Sequence, residues 1–154
     1  PPPSPAPPIF ILGVPRSEML ANRIRLVRET AARFRLTLVL KMARTLVADS
    51  HGTLAVVPTG NPGMATGGTG DVLTGLIAGL IAQGIAPAES ARAGAYLHGL
   101  AGDLAAERLG QEAMLAGDLL ESVPEAIRRV KGSGATGEVA DRGIRGIGNS
   151  RSLA

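Results

Sequence analysis

The residues able to do chemistry are concentrated in one short stretch. Thr59–Gly70 reads TGNPGMATGGTG, and Asp71 follows it at the start of an apolar run. Seven of the 21 glycines fall between Gly60 and Gly79. Glycine this dense lets backbone approach another group closely. A helix N-terminus presents unpaired N–H groups and a partial positive charge. Glycines just ahead of it let those N–H groups turn onto an anion, which is the physics of a phosphate site. Taken alone, a glycine loop is often only a turn, and an acid at a helix start often only complements the helix dipole. Together they describe an anion hole with a carboxylate beside it. Asp71 could then take a proton from a hydroxyl as it attacks a phosphoryl group held by the loop.

Two common phosphate motifs are absent from this loop. No Lys follows the MATGG after Gly63, so GxxxxGK[ST] fails, and GxGxxG does not occur in this loop.

The loop needs elements to position it. Ser17–Phe34 has helical spacing, with Ser17 as a cap and Leu20, Ile24, Val27, Ala31 and Phe34 recurring at three or four. Leu36–Leu40 is a continuous apolar run that suits a buried strand. Thr45–Ala48 and Leu54–Val57 read as a hairpin across the turn Asp49-Ser50-His51-Gly52, with His51 a turn residue. After the loop, Asp71 is expected to open a helix to about Gln83. Its apolar residues cover most of its circumference, which predicts burial, with Gly75 and Gly79 allowing close packing. Pro87 starts and Gly110 ends a long Ala-rich helix. Asp118 and Ser122 look like successive caps, with Pro124 near the first turn of a helix Glu125–Val130.

Composition bounds the rest. A chain of 154 residues, 45% apolar and 19% charged, can bury a sizeable core. With no Cys, it has no disulfide framework, thiolate metal site or thiol nucleophile. Phe10, Phe34 and Tyr96 are the only aromatics, which argues against stacking on nucleic acid. The charge of +3 is concentrated between Arg16 and Arg44, where eight Lys/Arg face Glu18 and Glu29. A solvated helix face accounts for this, and no nucleic-acid partner is expected. No secretory signal is apparent, and the longest apolar stretch, Val72–Ile81, is about half a membrane span. A soluble, cytoplasmic protein with no membrane partner is expected. Six of the 11 prolines fall in residues 1–8, read as an extended leader, and residues 132–154 read as a glycine-rich flexible tail.

The stretch Asn61-Pro62-Gly63-Met64-Ala65-Thr66-Gly67-Gly68-Thr69-Gly70-Asp71-Val72-Leu73-Thr74-Gly75 closely resembles the signature of the ADP/ATP-dependent NAD(P)H-hydrate dehydratases of the ribokinase-like superfamily. The resemblance includes Leu40–Thr45, Tyr96–Gly99, Ala101–Asp103 and Ala116–Leu120, and covers about residues 9–131. It implies an α/β, ribokinase-like (Rossmann-like, three-layer) fold, present as its C-terminal half, with short strands and a hairpin packed by several helices.

The resemblance also implies a function. Members of this family use ADP or ATP to phosphorylate the hydroxyl of a hydrated NADH or NADPH, then eliminate phosphate to restore the cofactor. Carried over by motif, Lys41, Met42, Ala43, Arg44 and Thr45 would lie against the adenine nucleotide, with Gly67, Thr69 and Gly70 at its phosphates. Asp71 would touch the hydrate and act as the base, with Gly68 and Gly70 stabilising the transferring group, and Asn61 would also touch the hydrate. Mg²⁺ is implied by polyphosphate chemistry, although no metal-ligand cluster is visible. Met42 stands where the family usually has Gly, and Met takes a positive φ only at a cost. The unpaired sheet edge of a half domain points to a homo-oligomer.

The residues leave other readings open. A strand-end Lys41 could simply snorkel to solvent. His98, on a helix among small residues, reads as a packing or capping residue, with a site role as the alternative. The same anion hole would serve a vitamin or sugar-alcohol kinase. A truncated, non-catalytic nucleotide-binding or packing module is the third reading.

Overall fold

The computed structural model describes residues 16–133. The expected leader, and the expected tail beyond Ser133, lie outside the described residues.

Helix α1 spans Arg16–Phe34, with a non-helical kink at Asn22. It begins one residue before Ser17, so Ser17 lies in the first turn and does not precede it. Three short strands follow: β1 (Leu38–Leu40), β2 (Leu46–Ala48) and β3 (Leu54–Val56). They form an antiparallel sheet in that order, with Val39 opposite Val47 and Val47 opposite Ala55. The expected hairpin is therefore present as β2–β3. Its turn is held by Asp49, whose Oδ1 accepts the amides of His51 and Thr53 at 2.9 and 3.0 Å. Burial pushes the Asp49 carboxyl up, but those amides, the Thr53 hydroxyl and Arg92 leave it below the ordinary carboxylate range.

Three helices follow the sheet: α2 (Thr69–Ala82), α3 (Pro87–Leu109) and α4 (Ala116–Ser133). Strand alternation sorts the core into layers. Leu46 and Ala48 pack with Val27 and Ala31 of α1. Val47, between them, points to the other face and packs with Leu73 of α2 and Ala91 and Ala95 of α3. Every residue of β2 is therefore buried, which is why this central strand reads as continuously apolar. A third cluster joins α3 to α4 through Leu97, Ala101, Leu104, Ala105, Leu119, Val123 and Ala126, with Met64 and Met114 filling its edge.

Three expectations are corrected. First, α2 begins at Thr69, two residues before Asp71, because Gly68 takes the capping position. Second, α2 is only half-buried: Leu73 is inside, Ile81 is 44% exposed, and a Cβ on Gly75 or Gly79 would meet nothing within 4 Å. The close-packing glycines sit on α3 instead. At Gly99 a Cβ would lie 2.2 Å from Thr59 Oγ1 and 2.6 Å from the Thr59 carbonyl carbon, so the backbones touch. Third, α4 is one helix running through Pro124. Ser122 is not a cap: its hydroxyl donates to the Asp118 carbonyl one turn back. An interior Pro costs about 3 kcal/mol or more. The fully buried Leu119 and Ala126, on either side of it, are packed in the α3–α4 core, and their burial opposes that cost.

Candidate active site

The site is built around the first turn of α2. Gly68, its N-cap, has φ +85°, and a Cβ there would approach that of Ala116 at 3.1 Å. Both facts favour glycine. The amides of Asp71 and Val72 donate to the Gly68 carbonyl at 3.1 and 3.2 Å. The amides of Gly67, Gly68, Thr69 and Gly70 have no partner among the described residues. Those of Gly68, Thr69 and Gly70 are orphan donors of a helix start, the Gly67 amide stands just ahead of them, and the exposed Asp71 lies in the same turn.

Three ties fix this turn from below. Thr69 is 1% exposed, and its hydroxyl oxygen lies 2.9 Å from the Met64 carbonyl and 3.0 Å from the Thr66 carbonyl. Its one proton is shared between them, so the Thr69 side chain is committed inside the loop. Lys41, just beyond β1, donates from Nζ to the same Met64 carbonyl at 3.1 Å. Burial holds the Lys41 ammonium below its ordinary value. His98 of α3, 3% exposed, stands with Nε2 2.7 Å from the Thr69 carbonyl. A carbonyl only accepts, so Nε2 carries the proton and donates. Burial holds the imidazole below its ordinary value; the Thr69 bond opposes that shift and the Lys41 charge adds to it.

The loop before the turn is strapped to α3. Thr59 donates its hydroxyl to the Tyr96 carbonyl at 2.9 Å. Asp103 accepts the Gly60 amide on one oxygen and Asn61 Nδ2 on the other, both at 2.9 Å. Asn61 Oδ1 in turn accepts the Gly63 amide and caps the 3₁₀ turn Pro62–Met64.

The sequence-predicted residues therefore divide. Lys41 joins Gly67, Gly68, Thr69, Gly70 and Asp71 at the α2 N-terminus through the shared Met64 carbonyl. Asn61 is tied to α3. Met42, Ala43, Arg44 and Thr45 form the turn between β1 and β2, and none hydrogen-bonds the glycine loop among the described residues. The positive φ of that turn falls on Arg44, at +65°, and not on Met42. The backbone cost expected at Met42 is thus carried by Arg44. Sequence reasoning had no role for Thr59 or Asp103. The signal was available: Gly99, Gly102 and Asp103 recur at three and four and mark one face of α3. Among the described residues no group of three or more His, Asp or Glu could hold a metal, and no helix is long and apolar enough to cross a membrane.

This geometry defines a class: a layered α/β domain with a glycine loop and a carboxylate at one helix N-terminus. The comparisons with known proteins sharpen it. The family model of NAD(P)H-hydrate dehydratase matches residues 11–125, and the chain belongs to that family. It is 48% identical over 121 residues to a bifunctional NAD(P)H-hydrate repair enzyme of Moorella thermoacetica, covering 79% of this chain and 23% of that protein. It is 44% identical over 118 residues to the ADP-dependent (S)-NAD(P)H-hydrate dehydratase of Neisseria meningitidis, covering 76% of this chain and 40% of that protein. The Bacillus subtilis ADP/ATP-dependent NAD(P)H-hydrate dehydratase, co-crystallised with ATP/Mg²⁺, superposes with a TM-score of 0.74 at 34% identity, over 77% of this chain and 43% of that one. The chain thus spans less than half the length of each.

Proposed function

We propose that this chain supplies the nucleotide-phosphate and base elements of an NAD(P)H-hydrate dehydratase, using ADP or ATP. One observation carries the reading: four amides, Gly67–Gly70, without a partner among the described residues, stand at a helix start beside an exposed carboxylate, Asp71. The amides and Lys41 would hold the terminal phosphates, and Gly68 and Gly70 would stabilise charge on the group in transfer. Thr69 contributes its amide alone, since its hydroxyl is already used. Met42, Ala43, Arg44 and Thr45 form the turn proposed to face the adenine nucleotide.

Asp71 takes the proton of the hydrate hydroxyl as its oxygen bonds to the terminal phosphorus. The bond from that phosphorus to the nucleotide breaks, releasing AMP from ADP or ADP from ATP. Loss of the new phosphate with a neighbouring proton restores the double bond of the reduced nicotinamide. Asn61 keeps a second Nδ2 hydrogen beyond the one given to Asp103, which supports a contact with the hydrate. Mg²⁺ would arrive on the nucleotide phosphates, where it neutralises charge. A homo-oligomer belongs to the same reading, supported by the exposed apolar residues Ile24, Ile81, Leu115 and Leu120.

The test incubates the chain with NADH hydrate, Mg²⁺ and ADP or ATP and follows the NADH absorbance band. Nucleotide-dependent recovery is expected. Phosphorylation of a vitamin alcohol without NADH recovery would move the assignment to a kinase. Neither turnover nor nucleotide-dependent thermal stabilisation would leave a non-catalytic module.

A further inference from the structure

The buried imidazole of His98 is not part of the reaction described above, yet it touches the element that performs it. Its Nε2–H ends on the carbonyl of Thr69, the first residue of α2. That peptide unit also carries the Gly70 amide, so a donor fixed on its carbonyl sets the direction of its N–H as well. The next residue is Asp71. The geometry points to His98 as a positioning residue for the phosphate site: its neutral Nε2–H orients the Thr69–Gly70 peptide, and through it the anion-facing amides and the Asp71 carboxylate. This rests on the proposed reading of the α2 N-terminus.

The surroundings suit that task. His98 is carried by the middle of a long helix that also grips the loop at Thr59, Gly60 and Asn61, so all these ties share one rigid frame. The ring is 3% exposed, and no buried side-chain nitrogen or oxygen among the described residues lacks a partner. The nearby Lys41 ammonium opposes a second positive charge on the ring. The bond is also short, at 2.7 Å, and buried, where a lost partner is felt fully.

Two variants separate orientation from packing. Gln places an amide N–H near the Nε2 position, while Leu fills the space without a donor. His98→Leu should weaken ADP binding about tenfold or more and speed exchange of the Asp71 and Val72 amides, while His98→Gln stays within about threefold of the parent in both. Equal impairment of the two variants would overturn the proposal, because it would assign the effect to packing. Unchanged exchange and affinity in His98→Leu would overturn it too. A measurement on the unaltered chain needs no variant to fold: ring ¹⁵N shifts should report the Nε2–H tautomer, and the Nδ1–H tautomer would refute the proposal. If ADP does not bind the parent chain, the nucleotide reading fails by itself; the exchange contrast between Leu and Gln then still decides whether His98 orients the turn.

Discussion

Asp103 grips Asn61 across the chain: its Oδ1 accepts Asn61 Nδ2 at 2.9 Å while its other oxygen accepts the Gly60 amide. One carboxylate on α3 thereby fixes two consecutive loop residues. Replacing it with Ala strands both donors. Asp103→Ala should cost ~1–3 kcal/mol, read as a lower urea midpoint, and Asp103→Asn should cost less because one acceptor survives. Asn61→Ala combined with Asp103→Ala should cost less than the sum of the two, since they share one bond. Full additivity would contradict the contact.

The glycines of α2 and α3 should respond in opposite ways. Gly99→Ala forces a Cβ into the Thr59 backbone, so it should destabilise by ~1–3 kcal/mol or more. Gly75→Ala and Gly79→Ala meet open space and should stabilise the helix by up to ~1 kcal/mol each. Thermal melts of the three variants check this. A destabilised Gly75→Ala would mean that its face of α2 is covered in solution.

Asp71 is exposed in the first turn of α2, so its removal should leave the fold nearly untouched. Asp71→Asn should shift stability by no more than ~0.5 kcal/mol. Turnover of NADH hydrate should nevertheless fall by roughly 10²–10⁴ if Asp71 is the base, with nucleotide affinity largely kept. Comparable losses of stability and turnover would instead make it a structural residue.

His98 also predicts how stability varies with pH. Its folded value lies below the ordinary 6.5, so in acid the unfolded chain takes up the proton first. The contribution is complete above 6.5 and declines as pH falls from there toward the folded value. Asp49, a carboxyl held low, loses its contribution only further down, as pH falls below 3.8. Urea midpoints at about pH 7.5 and about pH 5.5 should differ in the parent and differ less in His98→Gln. An equal difference in both would assign the slope to another group.

Much of the architecture was legible because it is local. Pro87 and Gly110 bound α3 as their backbone preferences require. Asp49 closes the β2–β3 turn with its own neighbours' amides. The errors arose where packing outweighed local preference. Pro124 reads as a helix start, but the α3–α4 core carries the helix through it. An apolar helix reads as buried, but α2 has a neighbour on one side only among the described residues.

The candidate site divides in the same way. Sequence by itself determined the glycine loop and the carboxylate after it, because a helix start and its glycines are contiguous, and the contiguous motif Asn61–Gly75 carries the resemblance to the family. Only the tertiary structure decided which groups aim that loop. His98 meets Thr69 across 29 residues and Asp103 meets Gly60 across 43. Contacts at such separations depend on how α3 lies against the loop, and the close approach at Gly99 sets that relation.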